Sequence, residues 1–168
     1  RQDGRGEWSD AWIKVKEVGD EEVDVHIESK RLNKVRSLSL QPVTLQMDLV
    51  FMPIRINPAG NRPQTAYVLM VVDARSGFIV AGDLMQATDG IAKMWAQIPE
   101  RLLELFELLG GCPSVIEIGS DRMANLLRPL SELLPFKMVR RERLTALEKA
   151  REHISAYLTR EGEDATGA

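Results

Sequence analysis

Apolar side chains occupy every second position between residues 43 and 51, and a carboxylate lies among the residues between them. This alternation predicts a β-strand, because successive side chains of a strand point to opposite faces of its sheet. Asp48 then shares its face with Thr44 and Gln46. A carboxylate in a central strand is costly unless a cation or a metal ion balances its charge. The stretch therefore predicts a buried sheet with one charged position that needs a partner. The apolar face comprises Val43, Leu45, Met47, Leu49 and Phe51.

Two further apolar runs predict that this strand begins an antiparallel meander. Residues 65–72 are almost continuously apolar, and the pair Ser76-Gly77 turns them into a third run at 78–81. Beyond residue 88 the apolar period becomes that of helices, with short strands at 115–118 and 136–139. We therefore expect an α/β domain whose mixed five-stranded sheet (order βββαβαβα) is flanked by helices.

Particular residues mark where the predicted helices begin and bend. Thr88 or Asp89 is expected to cap the first helix, and Pro99 to kink it or to start a second segment. Ser120 or Asp121 is expected to cap the next helix. The last helix is expected over 144–158.

The chain divides into three parts by composition. Two alternating runs separated by Gly19-Asp20, at 12–18 and 23–27, predict a small β-hairpin. With the basic linker that follows, this unit covers residues 1–40, and the main domain covers 41–160. Residues 161–168 are acidic and small, which predicts a disordered tail. The first residue is not Met, so we expect the chain to be a piece of a longer protein.

Cysteine, histidine and charge content exclude several classes of function. Cys112 is the single cysteine and the two histidines are distant, which excludes an intrachain disulfide and a thiolate and imidazole zinc site. No apolar run reaches the roughly 18 residues of a membrane span, and no signal peptide is recognisable, so a cytoplasmic protein is expected. The net charge of −3 hides basic segments at 29–62 and 121–160. Solvated surface is the favoured interpretation of these segments, and a local phosphate-binding face is the alternative.

Three short motifs in this order resemble the catalytic cores of retroviral-integrase-like transposases, which have the ribonuclease H fold. They are the strand that carries Asp48, the two strands around the Asp73-Ala74-Arg75-Ser76 turn, and the segment Ile118-Gly119-Ser120-Asp121. Glu148 matches the third acid of that family by its position in the last helix. The chain is similar as well to an uncharacterised bacterial domain family with the same layout. The resemblance covers about residues 43–158 and implies a ribonuclease H-like domain.

In that family the three acids hold metal ions. The resemblance therefore implies Asp48, Asp121 and Glu148 as catalytic residues and ligands of Mg²⁺ or Mn²⁺, with Glu152 one turn further along the helix as an alternative third ligand. Two such ions activate the attacking oxygen and the leaving oxygen of a phosphodiester. Each acid also has a structural interpretation: Asp121 as a first-turn helix acid, and Glu148 as the partner of a neighbouring base. Asp73 is expected to shape its turn instead.

Two departures from the family pattern favour a noncatalytic domain. Arg122-Met123 follows Asp121 where active cores have Asn-Gly, and Val50 stands where they have Thr. Arg151 on the last helix, or Arg122, is expected to balance the acids in place of a metal ion.

We therefore predict a degenerate ribonuclease H-like module without a cofactor, which contributes to protein or nucleic-acid interactions within a longer chain. The alternative is an Mg²⁺- or Mn²⁺-dependent nuclease or strand transferase. Because integrase-like cores often pair, the resemblance also makes a homodimer an expected assembly.

Overall fold

A mixed five-stranded sheet forms the centre of the protein, in a computed structural model that describes residues 23–56 and 64–164. Its strands are β1 Ser39–Ile56, β2 Gln64–Asp73, β3 Ile79–Met85, β4 Gly111–Ile118 and β5 Lys137–Arg140. The helices are α1 Ser29–Arg36, α2 Ile91–Ala96, α3 Ile98–Leu109, α4 Asp121–Leu133 and α5 Thr145–Asp164. The predicted α/β class and the predicted order of elements are confirmed.

The strand order is β3-β2-β1-β4-β5, which places β1 at the centre. β1 is antiparallel to β2, and β2 to β3, as the meander predicted. β4 is parallel to β1 and to β5. The pairing of β1 with β4 ends at Met47 and Ile118, whereas β1 continues beside β2 to Ile56. The carboxyl end of β4 therefore leaves one edge of β1 open from Asp48 onward.

The two faces of the sheet carry separate apolar clusters. On one face Leu45 and Met47 pack with residues of the first four helices, among them Phe106 of α3 and Leu127 of α4. On the other face Val50 and Met70 pack with Leu144, which precedes α5, and with Ala146, Leu147 and Ala150 of that helix. The predicted alternation of β1 is confirmed at Leu45 and Met47, whereas Phe51 of the same predicted face is 57% exposed. The second face of β1 is also buried, because α5 covers it.

Two predicted helix features are confirmed and one is wrong. Pro99 lies in the first turn of α3, where its missing N–H is no loss, and the predicted long helix is divided there. Ser120 caps α4 by accepting a hydrogen bond from the backbone N–H of Met123 at 3.2 Å. Neither Thr88 nor Asp89 caps α2, because the cap position is Gly90 at a φ of 103°, which only glycine adopts readily.

The terminal predictions fall partly outside the described residues. The first run of the predicted hairpin lies there, as do residues 165–168. Residues 23–28 form neither helix nor strand, although Val23, Val25 and Ile27 pack against the core. The predicted tail overlaps α5, which continues to Asp164. Among the described residues, no helix is both long and apolar enough to span a membrane.

Candidate functional site

A cavity of about 410 Å³ opens at the carboxyl end of β4, beside the open edge of β1. Its polar lining comes from Asp48 of β1 and from Ser120 and Arg122 at the start of α4. The remaining wall is apolar or aromatic and is formed by Leu49, Tyr67, Ile91, Trp95, Ile98, Met123 and Leu126. These apolar residues belong to the main core or pack against it, so close packing holds the side chains of the cavity wall in place.

The carboxylate of Asp48 is half-buried and has few partners. Its Oδ1 accepts the backbone N–H of Leu49 at 2.8 Å, at the edge of β1 that β4 no longer covers. Its Oδ2 lies against Gly119, where a Cβ would come within 3.0 Å of it. Glycine at 119 thus leaves room for the carboxylate. Among the described residues Asp48 forms no ion pair with any cation.

The charge of Asp48 is expected to lower stability at neutral pH. Burial raises the pKa of Asp48, and the hydrogen bond from Leu49 offsets this only in part. The folded protein therefore binds this proton more tightly than the unfolded chain does. The associated stability is complete below the ordinary pKa of aspartate and is lost as the pH rises through the raised pKa.

We expect Asp48→Asn to raise the thermal midpoint at pH 7 by about 2–4 °C, as a stabilisation of about 1 kcal/mol does in a domain of this size. The asparagine keeps an acceptor for the Leu49 N–H and removes the charge. The gain should vanish near about pH 3, where both states are protonated. Thermal unfolding followed by circular dichroism between these pH values measures it. Asp83→Asn, an exposed acid on β3, is the matched control. A lower midpoint for Asp48→Asn at pH 7 would mean that a cation balances Asp48 in solution.

The two other acids implied by the resemblance are each bonded to an arginine. Asp121 lies in the first turn of α4 with its side chain largely exposed, and its Oδ1 is 2.6 Å from Nε of Arg140. Glu148 lies in the first turn of α5, and its Oε2 is 2.7 Å from Nη2 of Arg143. Hydrogen bonding from Arg143 holds the pKa of Glu148 below its ordinary value. Both structural interpretations of these acids therefore hold in the structure.

The three acids do not gather into one group. Asp48 lines the cavity, whereas neither Asp121 nor Glu148 does. Among residues 23–56 and 64–164, no three or more side chains of His, Cys, Asp or Glu are arranged to hold a metal ion. The described side chains, as arranged, do not fit the two-metal centre that the resemblance implies.

The two arginines expected to balance the acids lie in different places. Arg151 is on the exposed side of α5, where it assists Arg143 in lowering the pKa of Glu148 and forms no ion pair with Asp48. Arg122 lines the cavity together with Asp48, and its guanidinium carbon lies 3.9 Å from the ring centre of Trp95. This is a cation–π contact. Arg122 therefore shares the cavity of Asp48 without pairing with it.

A buried polar network beside Asp48 was not predicted. Gln46 is 5% exposed, and its Oε1 accepts the backbone N–H groups of Ala146 and Leu147 at 2.9 and 3.1 Å. Its Nε2 donates to Glu117 at 2.9 Å, and Glu117 also accepts from Nε of Arg141 at 2.7 Å. Burial disfavours the charge of Glu117, but these two bonds outweigh it and hold its pKa below the ordinary value. The sequence signal for this network is Glu117 within the apolar run 115–118, because a carboxylate in a buried strand needs polar partners.

Two smaller predictions are settled by the described contacts. Asp73 shapes its turn, since its Oδ1 accepts the backbone N–H and the hydroxyl of Ser76, each at 2.6 Å. The basic residues of α1 pair with acids of α3: Arg31 contacts Glu100 and Glu104, and Lys34 Nζ lies 3.5 Å from Glu107. Part of the basic segment at 29–62 is therefore neutralised within the fold.

The sheet order and the helices on both faces define an α/β domain with a mixed five-stranded sheet. Its cavity at the carboxyl end of β4 has one carboxylate, Asp48, among the described lining residues. The chain belongs to the family described as a domain of unknown function (DUF6930), whose pattern matches residues 31–155. No curated protein and no solved structure matches the chain. The resemblance to ribonuclease H-like and integrase cores stays a prediction.

Proposed function

We propose that this protein is a degenerate ribonuclease H-like domain that does not catalyse phosphodiester chemistry and acts as an interaction module for a protein or nucleic-acid partner within a longer chain. The strand order β3-β2-β1-β4-β5, with the parallel pair β1 and β4 at its centre, supports the ribonuclease H-like part of the proposal. Asp48 in β1 and Asp121, three residues after the end of β4, agree with the positions that the resemblance assigns.

The observation that carries the noncatalytic part is the pairing of two acids with arginines. Arg140 and Arg143 lie within 2.6 and 2.7 Å of Asp121 and Glu148, at atoms that a metal ion would otherwise bind. An arginine that bonds a carboxylate fulfils its need for positive charge and blocks its lone pairs. Asp48 alone is left to the cavity, and one carboxylate does not hold two metal ions.

One observation favours the alternative, a nuclease or strand transferase that uses Mg²⁺ or Mn²⁺. Asp48 is half-buried without a cation among the described residues, and burying an uncompensated carboxylate is costly. The exposed pair of Asp121 and Arg140 would also open at little cost, since surface ion pairs contribute about 0–1 kcal/mol. A metal ion that drew Asp121 and Glu148 toward Asp48 would then have the three carboxylate ligands that the resemblance implies.

Thermal unfolding with and without millimolar Mn²⁺ separates the two functions. We expect the midpoint of the wild-type protein to change by the same small amount as that of Asp48→Asn, because the described side chains form no cluster that would hold the ion in the folded state. A ligand at about 100 times its dissociation constant would add about 2.7 kcal/mol, which is a shift of several degrees. A manganese-dependent rise of that size, absent in Asp48→Asn and kept in Asp83→Asn, would support the enzyme and overturn the noncatalytic proposal.

A further inference from the structure

We propose that the cavity beside Asp48 binds a primary ammonium group carried on an apolar stem, and that the Asp48 carboxylate receives the charge of this group. A lysine side chain of a protein partner and a free alkylamine both have this chemistry. The inference deepens the proposed interaction role and rests on it, because it names what the cavity of the module takes. It follows from the unbalanced charge of Asp48 and from the apolar wall around it.

The carboxylate of Asp48 has no balancing cation among the described residues. Its Oδ1 accepts the backbone N–H of Leu49 at 2.8 Å, and it forms no ion pair with a described lysine, arginine or histidine. Burial raises the pKa of Asp48 and the Leu49 bond lowers it, whereas no cation contributes. An ionised carboxylate has further lone pairs, and its burial is costly while its charge is unbalanced. A ligand that brings a positive charge therefore gains most at Asp48.

Arg122 lines the same cavity but does not supply this charge. It already has contacts of its own, among them the face of the Trp95 ring, whose centre lies 3.9 Å from the guanidinium carbon. Because Arg122 makes no contribution to the pKa of Asp48, a cation bound at the carboxylate would meet little repulsion from it. An anion would instead face an unbalanced carboxylate. The cavity therefore favours a cationic ligand at Asp48.

The wall of the cavity suits an apolar stem. The volume of about 410 Å³ lies within the range of small-molecule sites, about 300–1,000 Å³. Ile98, Met123 and Leu126 line it and are at most 4% exposed, so the wall is formed by core side chains. Each methylene group that leaves water for such a wall strengthens binding by up to about fourfold. An aliphatic stem is buried there while its charged end reaches Asp48.

The surroundings of the carboxylate favour an ammonium head over other organic cations. A guanidinium bonds a carboxylate best through both oxygens, but Oδ1 of Asp48 is already bonded to Leu49. A compact ammonium needs only one oxygen, and Gly119 leaves room beside Oδ2, where a Cβ would come within 3.0 Å. A quaternary ammonium has no N–H to donate and binds through aromatic faces, and Arg122 occupies a face of Trp95. A primary ammonium therefore matches Asp48 best.

A lysine side chain and a free alkylamine are distinguished by comparing butylamine with a blocked pentapeptide that carries lysine between alanines. Butylamine is the lysine side chain without its backbone. The ring of Phe51 is 57% exposed and meets Tyr67 of the cavity wall edge to face, so it offers a peptide further apolar contact outside the cavity. A peptide that binds about tenfold more tightly than butylamine identifies a protein partner as the source. Equal or weaker binding of the peptide identifies the free amine.

Isothermal titration calorimetry of the whole chain with these probes tests the inference. We expect butylamine to bind, and butanol and butyltrimethylammonium to bind about tenfold more weakly, because one lacks the charge and the other the N–H donors. Ethylamine, which is two methylene groups shorter, should also bind about tenfold more weakly. Asp48→Asn should weaken butylamine about tenfold while its thermal unfolding stays cooperative. The exposed control Asp83→Asn should bind as wild type does.

Three results would overturn the inference: no heat with butylamine or the lysine peptide at millimolar concentration, equal binding of butylamine and butanol, or full affinity in Asp48→Asn. Any of them without a manganese effect would reject the ammonium site and leave the noncatalytic interaction role standing. A manganese-dependent rise in thermal midpoint would instead reject the noncatalytic role, whatever the amines do. The two proposals therefore fail in separate experiments.

Discussion

Gln46→Leu is expected to lower the free energy of unfolding by about 3–5 kcal/mol, because it leaves several buried polar groups without partners. The backbone N–H groups of Ala146 and Leu147 belong to the first turn of α5, and both donate to Oε1 of Gln46. Glu117 would lose the donor Nε2 of Gln46 and keep Arg141. Leucine has a similar volume, so the change removes the bonds and not the packing.

Urea unfolding at pH 7 measures this effect. Gln41→Leu is the matched control, because it makes the same replacement on the same strand at an exposed position. The control is expected to stay within about 0.5 kcal/mol of wild type. If Gln46→Leu were as mild as Gln41→Leu, the Gln46 side chain would not cap α5 in solution.

Phe106→Ala is expected to lower the free energy of unfolding by about 3–5 kcal/mol, since it removes a ring from the centre of the main core. Phe106 in α3 is 0% exposed, and its ring meets that of Phe136 edge to face at 6.1 Å. The Phe106 ring belongs to the main core cluster, whose close-packed side chains cannot fill the cavity that alanine would leave.

Leu108→Ala on the same helix is the control for this replacement. Leu108 is 85% exposed and should change the free energy of unfolding by no more than about 0.5 kcal/mol. A comparable loss in both variants would contradict the assignment of the effect to burial of the Phe106 ring, because alanine itself favours the helix. Urea unfolding of the two variants measures both changes.

Beyond Met47, β1 loses its neighbour β4 but keeps the cover of α5, and this difference determines the surroundings of Asp48. Main-chain pairing with β4 stops at Met47, but α5 still covers Val50 and Met52 on the far side of Asp48. Asp48 is therefore flanked by a buried amide, Gln46, and by apolar residues. Its carboxylate meets solvent through the cavity beyond the end of β4. A ligand in that cavity would lie beside Asp48.

Several elements could be predicted because their causes are local. The alternation around Met47 requires a strand, since only that period puts its apolar residues on one face. The hydroxyl of Ser120 and the side chain of Asp73 bond backbone groups two or three residues away, so the sequence around them contains both partners. The start of α2 was missed although it is local, because Gly90 adopts a positive φ and takes the cap position one residue after Asp89.

The partners of the charged and amide side chains could not be predicted, because each pair joins elements that are distant in the chain. Leu144, which precedes α5, has no polar side-chain atom, and the cap of that helix comes from Gln46, 100 residues earlier. The position of Glu148 in its helix identifies it as a first-turn acid, but the choice of Arg143 over Arg151 depends on side-chain direction.

The sequence by itself determined the class of fold, the order of the elements and the presence of one carboxylate at the centre of the sheet, because periodicity and turn chemistry act over a few residues. Tertiary structure alone decided that the pairing of β4 with β1 stops at Met47 and that Asp121 and Glu148 form ion pairs with arginines. It also placed Asp48 in one cavity with Arg122 and Trp95. Those facts depend on distances of a few ångströms between elements far apart in the chain, and such distances are set when the sheet and helices pack together.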